Sequence, residues 1–149
     1  MATSLRLVRR SRSRDEVELS LAVPSDLDMV GEAVELLARH CDTGLLSPRR
    51  LQFNLRVALA ETLANAIAYG NRSDRSKPVD VCVTIGPDAL TIVVTDSGTG
   101  FDPAAVPDPT TPENLERDDG RGLFVLRHLV DQIEFNDKGN RICLVLRAG

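Results

Sequence analysis

The sequence predicts a single α+β domain, and three observations lead to that prediction. The chain has 149 residues, the usual size of one domain. Apolar residues make up 42% and charged residues 27% of it, which is ordinary for a globular protein. Stretches of alternating apolar residues are interleaved with stretches that repeat them every three or four residues, so both strands and helices are expected. The predicted order is β-α-α-β-β-loop-α-β-β.

The first predicted strand leads directly into the first predicted helix. Val17, Leu19 and Leu21 alternate with polar residues, the period of a half-buried strand. Ser25, with Asp28 three residues later, is typical of the capping box that begins a helix. The helix then carries apolar residues at steps of three and four, which are Leu27, Val30, Val34, Leu37 and Cys41.

The second predicted helix begins at Ser47 and Pro48, a capping residue followed by a proline at the first helical position. It ends at Gly70 and Asn71, residue types that tolerate the left-handed conformation of a C-cap. Between residues 57 and 68 the helix is apolar nearly all round, so we expect it to be buried.

Glu61 and Asn65 interrupt this apolar helix at a spacing of four, so they project from one face, one turn apart. A buried carboxylate without a partner is costly or takes up a proton, so a polar ligand is expected to meet this pair. Mg²⁺ prefers oxygen donors, which an Asn side chain offers, and a nearby carboxylate can orient a nucleophile. The alternative is a hydrogen-bonded pair on a solvent-facing surface, because short motifs often occur by chance.

Two further strands follow, and a first glycine-rich loop comes after the second of them. One apolar face is formed by Val79, Val81, Val83 and Ile85, and the other by Leu90, Ile92 and Val94. The loop runs Asp96-Ser97-Gly98-Thr99-Gly100, where glycines permit a sharp turn against a flat ligand. The Asp96 carboxylate is suited to accept the exocyclic amine of adenine, whereas the carbonyl of guanine would oppose it. The alternative is a simple turn between strands.

A second glycine pair stands between a long irregular segment and the third predicted helix. The stretch from Ser97 to Gly120 lacks any period, which is typical of a lid, a binding loop or a disordered segment. Gly120, Arg121 and Gly122 then precede a helix expected to begin near Leu123. Backbone N–H groups at a helix N-terminus favour phosphate, although a hinge with a glycine-tolerant cap is the alternative. A closing hairpin around Lys138 and Gly139 is predicted to complete the chain.

The charge pattern and the cysteines limit the classes of partner. The net charge of −4 gives no reason to expect nucleic acid, and no apolar run is long enough to span a membrane. Residues 1–14 carry five arginines, which we interpret as a basic, solvated and frayed terminus rather than as an arm for an acidic partner. Three widely spaced cysteines are typical of reduced thiols in a cytoplasmic protein.

Taken in this order and at these distances, the three motifs resemble those of the GHKL, or Bergerat-fold, ATPases. Glu61 to Asn65 looks like the N box, Asp96 to Gly100 like the first glycine box, and Gly120 to Gly122 like the second. The resemblance covers residues 15–147 and is greatest for the serine-kinase anti-sigma factors of bacterial partner-switching systems. Unlike that of gyrase-type relatives, the N box lacks an acidic residue shortly after Asn65, where Ala68 and Tyr69 stand, and no segment is left for the phosphorylated helix pair of a sensor histidine kinase.

The resemblance implies a fold and a role for each motif residue. The fold is a two-layer α/β sandwich, with a mixed, mostly antiparallel sheet and helices on one face, over residues 15–149 with a lid at about 98–120. Glu61 activates the substrate hydroxyl, Asn65 binds Mg²⁺ and Asp96 recognises adenine. An arginine touches the terminal phosphate, either Arg117 or Arg121. The remaining implied nucleotide-binding positions are Gly98, Gly100, Gly120, Gly122 and Leu123.

The resemblance also implies an activity and partners. The implied protein is an ATP- and Mg²⁺-dependent serine/threonine kinase in the cytoplasm that phosphorylates an anti-sigma factor antagonist and sequesters a sigma factor. It forms a homodimer through its first strand and helix, and it has no nucleic acid or membrane partner. The alternatives are a non-catalytic ATP-binding module that binds a partner protein, and a structural domain whose three boxes are degenerate.

Overall fold

The computed structural model describes residues 5–97, 118–137 and 139–149, with only the backbone of residues 118–123. In these residues six strands form one sheet in the order β1-β2-β3-β4-β6-β5, and every neighbouring pair is antiparallel. The strands are β1 Leu7–Ser13, β2 Glu16–Val23, β3 Val79–Ile85, β4 Ala89–Thr95, β5 Gln132–Phe135 and β6 Arg141–Arg147.

Three helices are described beside this sheet. A 3₁₀ turn at Leu27–Met29 leads into α1, Val30–His40. The second helix is α2, Arg56–Asn65, which is continuous at both ends with single π-helical turns, Arg50–Leu55 and Ala66–Gly70. The third is α3, Asp118–Leu129. Both α1 and α3 pack against α2, which is therefore the central helix of its layer.

The helices cover one face of the sheet, as the alternating strand patterns predict. Register pairs Val81 with Val94 and Val83 with Ile92, and all four side chains are buried with α1 and α2 in a single core. Residues that alternate with the buried ones, such as Asp80 next to Val81, lie on the open face. The predicted two-layer α+β fold is therefore confirmed, and it is antiparallel throughout the residues described.

The N-terminal segment differs from its interpretation as a frayed terminus. Leu7–Ser13 forms β1, which pairs with β2 from Leu7 opposite Leu21 to Ser13 opposite Glu16. The arginines of this strand are exposed, so only the solvation part of the interpretation was right. An edge strand with little core contact is held mainly by backbone hydrogen bonds to its neighbour. It therefore does not require an alternating apolar pattern, and its arginines gave no sign of a strand.

Two predicted helix ends also need correction, and one is as expected. Ser47 begins the second helix, since its Oγ accepts a hydrogen bond from Arg50 N at 3.3 Å. Ser25 does not cap the first helix: Asp26 does, with its Oδ1 accepting from Asp28 N at 3.0 Å. The left-handed residues after the second helix are Arg72 and Ser73, with φ of 51° and 56°, not Gly70 and Asn71.

Candidate functional site

The helix α2 has one buried face and one half-buried face, which corrects the expectation that it is buried all round. Its sheet-facing residues are fully or nearly fully buried: Ala58, Leu59, Thr62, Leu63, Ala66 and Ile67. The other face carries Ala60, Ala64 and Ala68 together with Glu61 and Asn65, and all five are half-buried. Burial all round was predicted from the apolar composition of the helix. Alanine, however, has a small side chain and is found on partly exposed faces as well as in cores.

Glu61 and Asn65 lie side by side on this half-buried face. Four residues apart on a helix, their Cβ atoms are about 5–6 Å from each other. Within the described part of the chain, neither side chain makes a hydrogen bond or an ion pair, and the polar atoms of both remain accessible to solvent. The premise that the pair is deeply buried was therefore wrong, but the pair is available to a ligand that enters from the open side.

Asp96 is brought against the end of this same helical run. A Cβ built at Gly70, five residues after Asn65, would lie 2.9 Å from Asp96 Oδ1 and closer still to its Oδ2 and Cγ. Five helical residues span about 7.5 Å, so the carboxylate lies roughly one and a half turns from Asn65. The Asp96 motif therefore meets the helical run that carries the Glu61 and Asn65 motif, although residues 71–95 separate Gly70 from Asp96.

The backbone of the Asp96 turn is held from the β5–β6 hairpin by Asn140. Asp96 N donates to the Asn140 carbonyl at 2.9 Å, and Asn140 Nδ2 donates back to the Asp96 carbonyl at 3.0 Å. Asn140 Oδ1 in turn accepts from Asn136 Nδ2 at 2.7 Å. Asn136 also stabilises the hairpin turn, because its Oδ1 accepts from Gly139 N at 2.8 Å.

The same turn is held from the opposite side by Asn71, a residue that sequence reasoning treated only as a helix end. Asn71 is 3% exposed, and its Oδ1 accepts from Ser97 N at 2.8 Å. Its Nδ2 donates to the Lys77 carbonyl at 2.6 Å and to Ser25 Oγ at 3.0 Å. Ser25 donates to the same carbonyl, so Asn71 ties three loops together at the end of β4. An Asn directly after a helix gave no signal beyond a turn.

The second glycine pair lies in a different position from the predicted one. The helix α3 begins at Asp118 and not near Leu123, so Gly120 and Gly122 lie within its first turns. The exposed N–H groups of a helix belong to its first four residues, here 118–121, which shifts the predicted anion-binding end by one turn. Acidic residues at 118 and 119 favour this earlier start, because they complement the helix dipole.

Several predicted site residues lie outside the part of the chain that is described. Gly98, Gly100 and Arg117 belong to residues 98–117, and only the backbone of Arg121 and Leu123 is described, within α3. The choice between Arg117 and Arg121 as the phosphate-contacting arginine is therefore still open. Buried Leu126 and Leu129 attach the later part of α3 to the core next to α2.

The donor set suits a nucleotide with its metal better than a metal alone. Among the described residues, no three His, Cys, Asp or Glu side chains are grouped to hold an ion. One Asn oxygen is a poor site by itself, but Mg²⁺ usually takes one or two protein oxygens, with phosphate oxygens and water completing its shell. Half-buried alanines flank Asn65 on this face, and the Asp96 carboxylate lies further along the same helical run.

Of the helices in the described residues, none has the length and apolarity needed to cross a membrane.

Comparison with known proteins gives consistent results. Residues 23–146 match the model of the histidine kinase-like ATPase domain. The chain is 25% identical to the serine-protein kinase RsbW of Oceanobacillus iheyensis over 126 residues, which is 80% of this chain and 79% of that protein. It is 33% identical to the anti-sigma F factor of Clostridium perfringens over 97 residues, 61% of this chain and 69% of the relative. The RsbW of Staphylococcus epidermidis is 29% identical over 99 residues, 60% and 62% of the two chains.

Proposed function

This chain belongs to the histidine kinase-like ATPase domain family, and from that premise we propose that it is a serine/threonine protein kinase that uses Mg-ATP. The supporting observation is the meeting of Asp96 with the helix that carries Glu61 and Asn65. Asp96 offers a hydrogen-bond acceptor for a nucleobase at one end of the half-buried helix face. Further along that face, Asn65 and Glu61 offer oxygen atoms near the expected position of the metal and the phosphates.

Each residue has a distinct role in the proposed reaction. Asp96 accepts a hydrogen bond from the adenine amine, and Asn65 supplies an oxygen to the Mg²⁺ that accompanies the phosphates. That ion neutralises charge on the phosphate oxygens, which is the main requirement of phosphoryl transfer. Glu61 lies one turn from Asn65 and accepts the proton of the attacking hydroxyl, so it orients that oxygen toward the terminal phosphorus. The bond to the leaving ADP oxygen breaks as the new P–O bond forms.

The glycines and arginines of the second half of the site complete the proposal. Gly98 and Gly100 allow the lid to approach the nucleotide closely. The N-terminal end of α3 binds the phosphates through the exposed N–H groups of Gly120 and Arg121, with Gly122 and Leu123 in the turn that follows, and Arg117 or Arg121 contacts the terminal phosphate.

The proposed partners follow from the relatives. Two are named as serine-protein kinases and one as an anti-sigma factor. We therefore propose that the chain phosphorylates a small anti-sigma factor antagonist and sequesters a sigma factor, both in the cytoplasm. Residues 15–149 form the proposed kinase domain. The exposed edge strand β1, which lies N-terminal to that range, and the helix α1 are the proposed surfaces of a homodimer, which sedimentation equilibrium would detect as twice the 16.2 kDa chain mass.

A transfer assay tests the kinase proposal. The protein is incubated with labelled Mg-ATP and a candidate anti-sigma factor antagonist from the same organism, and the label is located by mass spectrometry. We expect phosphoserine or phosphothreonine on the antagonist, with transfer reduced about a hundredfold or more in Glu61→Ala. Thr62→Ala is the matched control, since Thr62 points into the core and donates to the Ala58 carbonyl at 2.6 Å. No transfer by wild type would remove the kinase assignment, and equal transfer by wild type and Glu61→Ala would remove the proposed role of Glu61.

A second candidate function is a non-catalytic module in which ATP only shapes a partner-binding surface. It is favoured by one observation: Glu61 makes no hydrogen bond or ion pair among the described residues, so nothing there holds it as a base. In that case Mg-ATP binds, the sigma factor is captured in a pull-down, and no phosphate reaches the antagonist. Failure to capture a sigma factor with either ATP or ADP would argue against sequestration.

A further inference from the structure

Gly70 stands where helix geometry alone would favour a larger residue. It closes the π-helical turn Ala66–Gly70, and glycine within a helix is about 1 kcal/mol less favourable than alanine. Its φ is not in the left-handed range, so the backbone does not require glycine. What requires it is space: a Cβ at this position would lie 2.9 Å from Asp96 Oδ1 and closer to Oδ2 and Cγ.

The backbone on the Asp96 side of this contact is fixed. Asn140 holds the N–H and carbonyl of Asp96, with distances of 2.9 and 3.0 Å, and Asn71 holds Ser97 N at 2.8 Å. Asn71 is itself the residue after Gly70 and is buried among the groups it binds. An added methyl at Gly70 therefore displaces the Asp96 carboxylate, because the three atoms that it would meet within 3.0 Å all belong to that side chain.

We propose that Gly70 is a specificity-determining residue: the space it leaves sets the position of the Asp96 carboxylate, and that position sets the preference of the site for adenine over guanine. This inference rests on the proposed function, since it assigns a further residue to the same nucleotide site.

The expected effect is selective for one base. A hydrogen bond to a charged group contributes enough to change affinity roughly ten- to a hundredfold when it is lost. ATP loses that bond when the carboxylate moves, whereas GTP, whose carbonyl opposes the carboxylate, has no such bond to lose. The ratio of ATP to GTP affinity therefore falls in Gly70→Ala. A general loosening of the fold would weaken both nucleotides alike.

Calorimetric titration with Mg-ATP and with Mg-GTP tests the inference on four variants of the full chain. Gly70→Ala and Asp96→Ala should both lower the affinity ratio, and the double variant should match Asp96→Ala within about twofold, because the two changes act on one bond. Gly31→Ala is the matched control: it is also a helical glycine, a Cβ there meets nothing within 4 Å, and the ratio should stay at the wild-type value.

The outcomes separate the inference from the proposed function. If wild type prefers ATP and Gly70→Ala keeps that preference, the inference is wrong and the proposed function stands. If wild type binds neither nucleotide, the proposed function fails and the inference fails with it. Should Gly70→Ala lower the melting temperature, the collision predicts that Asp96→Ala restores it in the double variant; continued destabilisation there would show that Asp96 is not what the methyl group meets.

Discussion

Replacement of Asn71 by alanine is expected to destabilise the protein by about 3 kcal/mol, a large part of a domain's stability. The three shortest bonds of the amide are 2.6 Å to the Lys77 carbonyl, 2.8 Å to Ser97 N and 3.0 Å to Ser25 Oγ, and a longer one of 3.3 Å reaches the Pro78 carbonyl. Each of the three shortest bonds contributes about 1 kcal/mol net, and the buried groups left behind find no water easily. The loss of stability should be large because Asn71 is only 3% exposed, so water does not readily replace the amide.

Urea unfolding followed by far-UV circular dichroism measures this effect at neutral pH. Asn54→Ala is the matched control, an Asn to Ala change in the same helical run that removes a single bond, from Asn54 Nδ2 to the Leu129 carbonyl at 3.0 Å. It should cost about 1 kcal/mol. The midpoint should shift about three times as far for Asn71→Ala as for Asn54→Ala, with unchanged slopes.

Equal losses of stability in the two variants would contradict this prediction. They would mean that the three bonds of Asn71 are replaced by water as readily as the one bond of Asn54. The role of Asn71 in holding the end of β4 beside the second helix would then have no energetic support.

Three further predictions concern the core, the thiols and acid stability. Leu63→Ala should cost about 2–5 kcal/mol in urea unfolding, because Leu63 is fully buried between α2 and the sheet. Burial raises the pKa of the Cys41 thiol to about 12, so in native protein at pH 8 Ellman's reagent should modify only the two half-buried cysteines and reach Cys41 after unfolding. The pKa of Asp131 is lowered by its bonds from Arg147 N and the Arg50 guanidinium, so its stabilising effect is present above about pH 4 and is lost as the pH falls further. Asp131→Asn should therefore cost about 1 kcal/mol at pH 7 and nothing near pH 2.

Each of these has a control and an outcome that contradicts it. Leu27→Ala, at a side chain 51% exposed, should cost under about 0.5 kcal/mol, and an equal loss from both leucines would mean that α2 is not packed as described. Three fast-reacting thiols in native protein would contradict the burial of Cys41. A stability difference for Asp131→Asn that stays constant between pH 7 and pH 2 would show that the carboxylate is not linked to folding.

The strands of the sheet could be predicted from sequence because their chemistry is local. In β3 and β4 every second residue is a branched apolar side chain, and that period has only one arrangement that buries one face. The start of the second helix at Ser47 could be predicted for the same reason, because the capping side chain and the N–H group that it binds are only three residues apart. The family motifs then predicted that the helix face with Glu61 and Asn65 lies near the Asp96 turn.

The remaining features depend on contacts between residues far apart in the chain. Ser25 looked like a helix cap, but it binds a carbonyl 52 residues away, and a propensity argument has no access to that partner. Gly70 looked like a C-cap, whereas its absent side chain matters because of Asp96. The strand β1 carries too many arginines for an apolar period, and only pairing with β2 defines it.

Titration calorimetry of Mg-ATP into wild type, Asn65→Ala and Asn54→Ala tests the nucleotide site most directly. We predict one ATP bound per chain with an affinity that depends on Mg²⁺, preserved in Asn54→Ala and weakened at least tenfold in Asn65→Ala, whose affinity no longer responds to Mg²⁺. Binding by Asn65→Ala that equals wild type at every Mg²⁺ concentration, or no binding by wild type, would contradict the account.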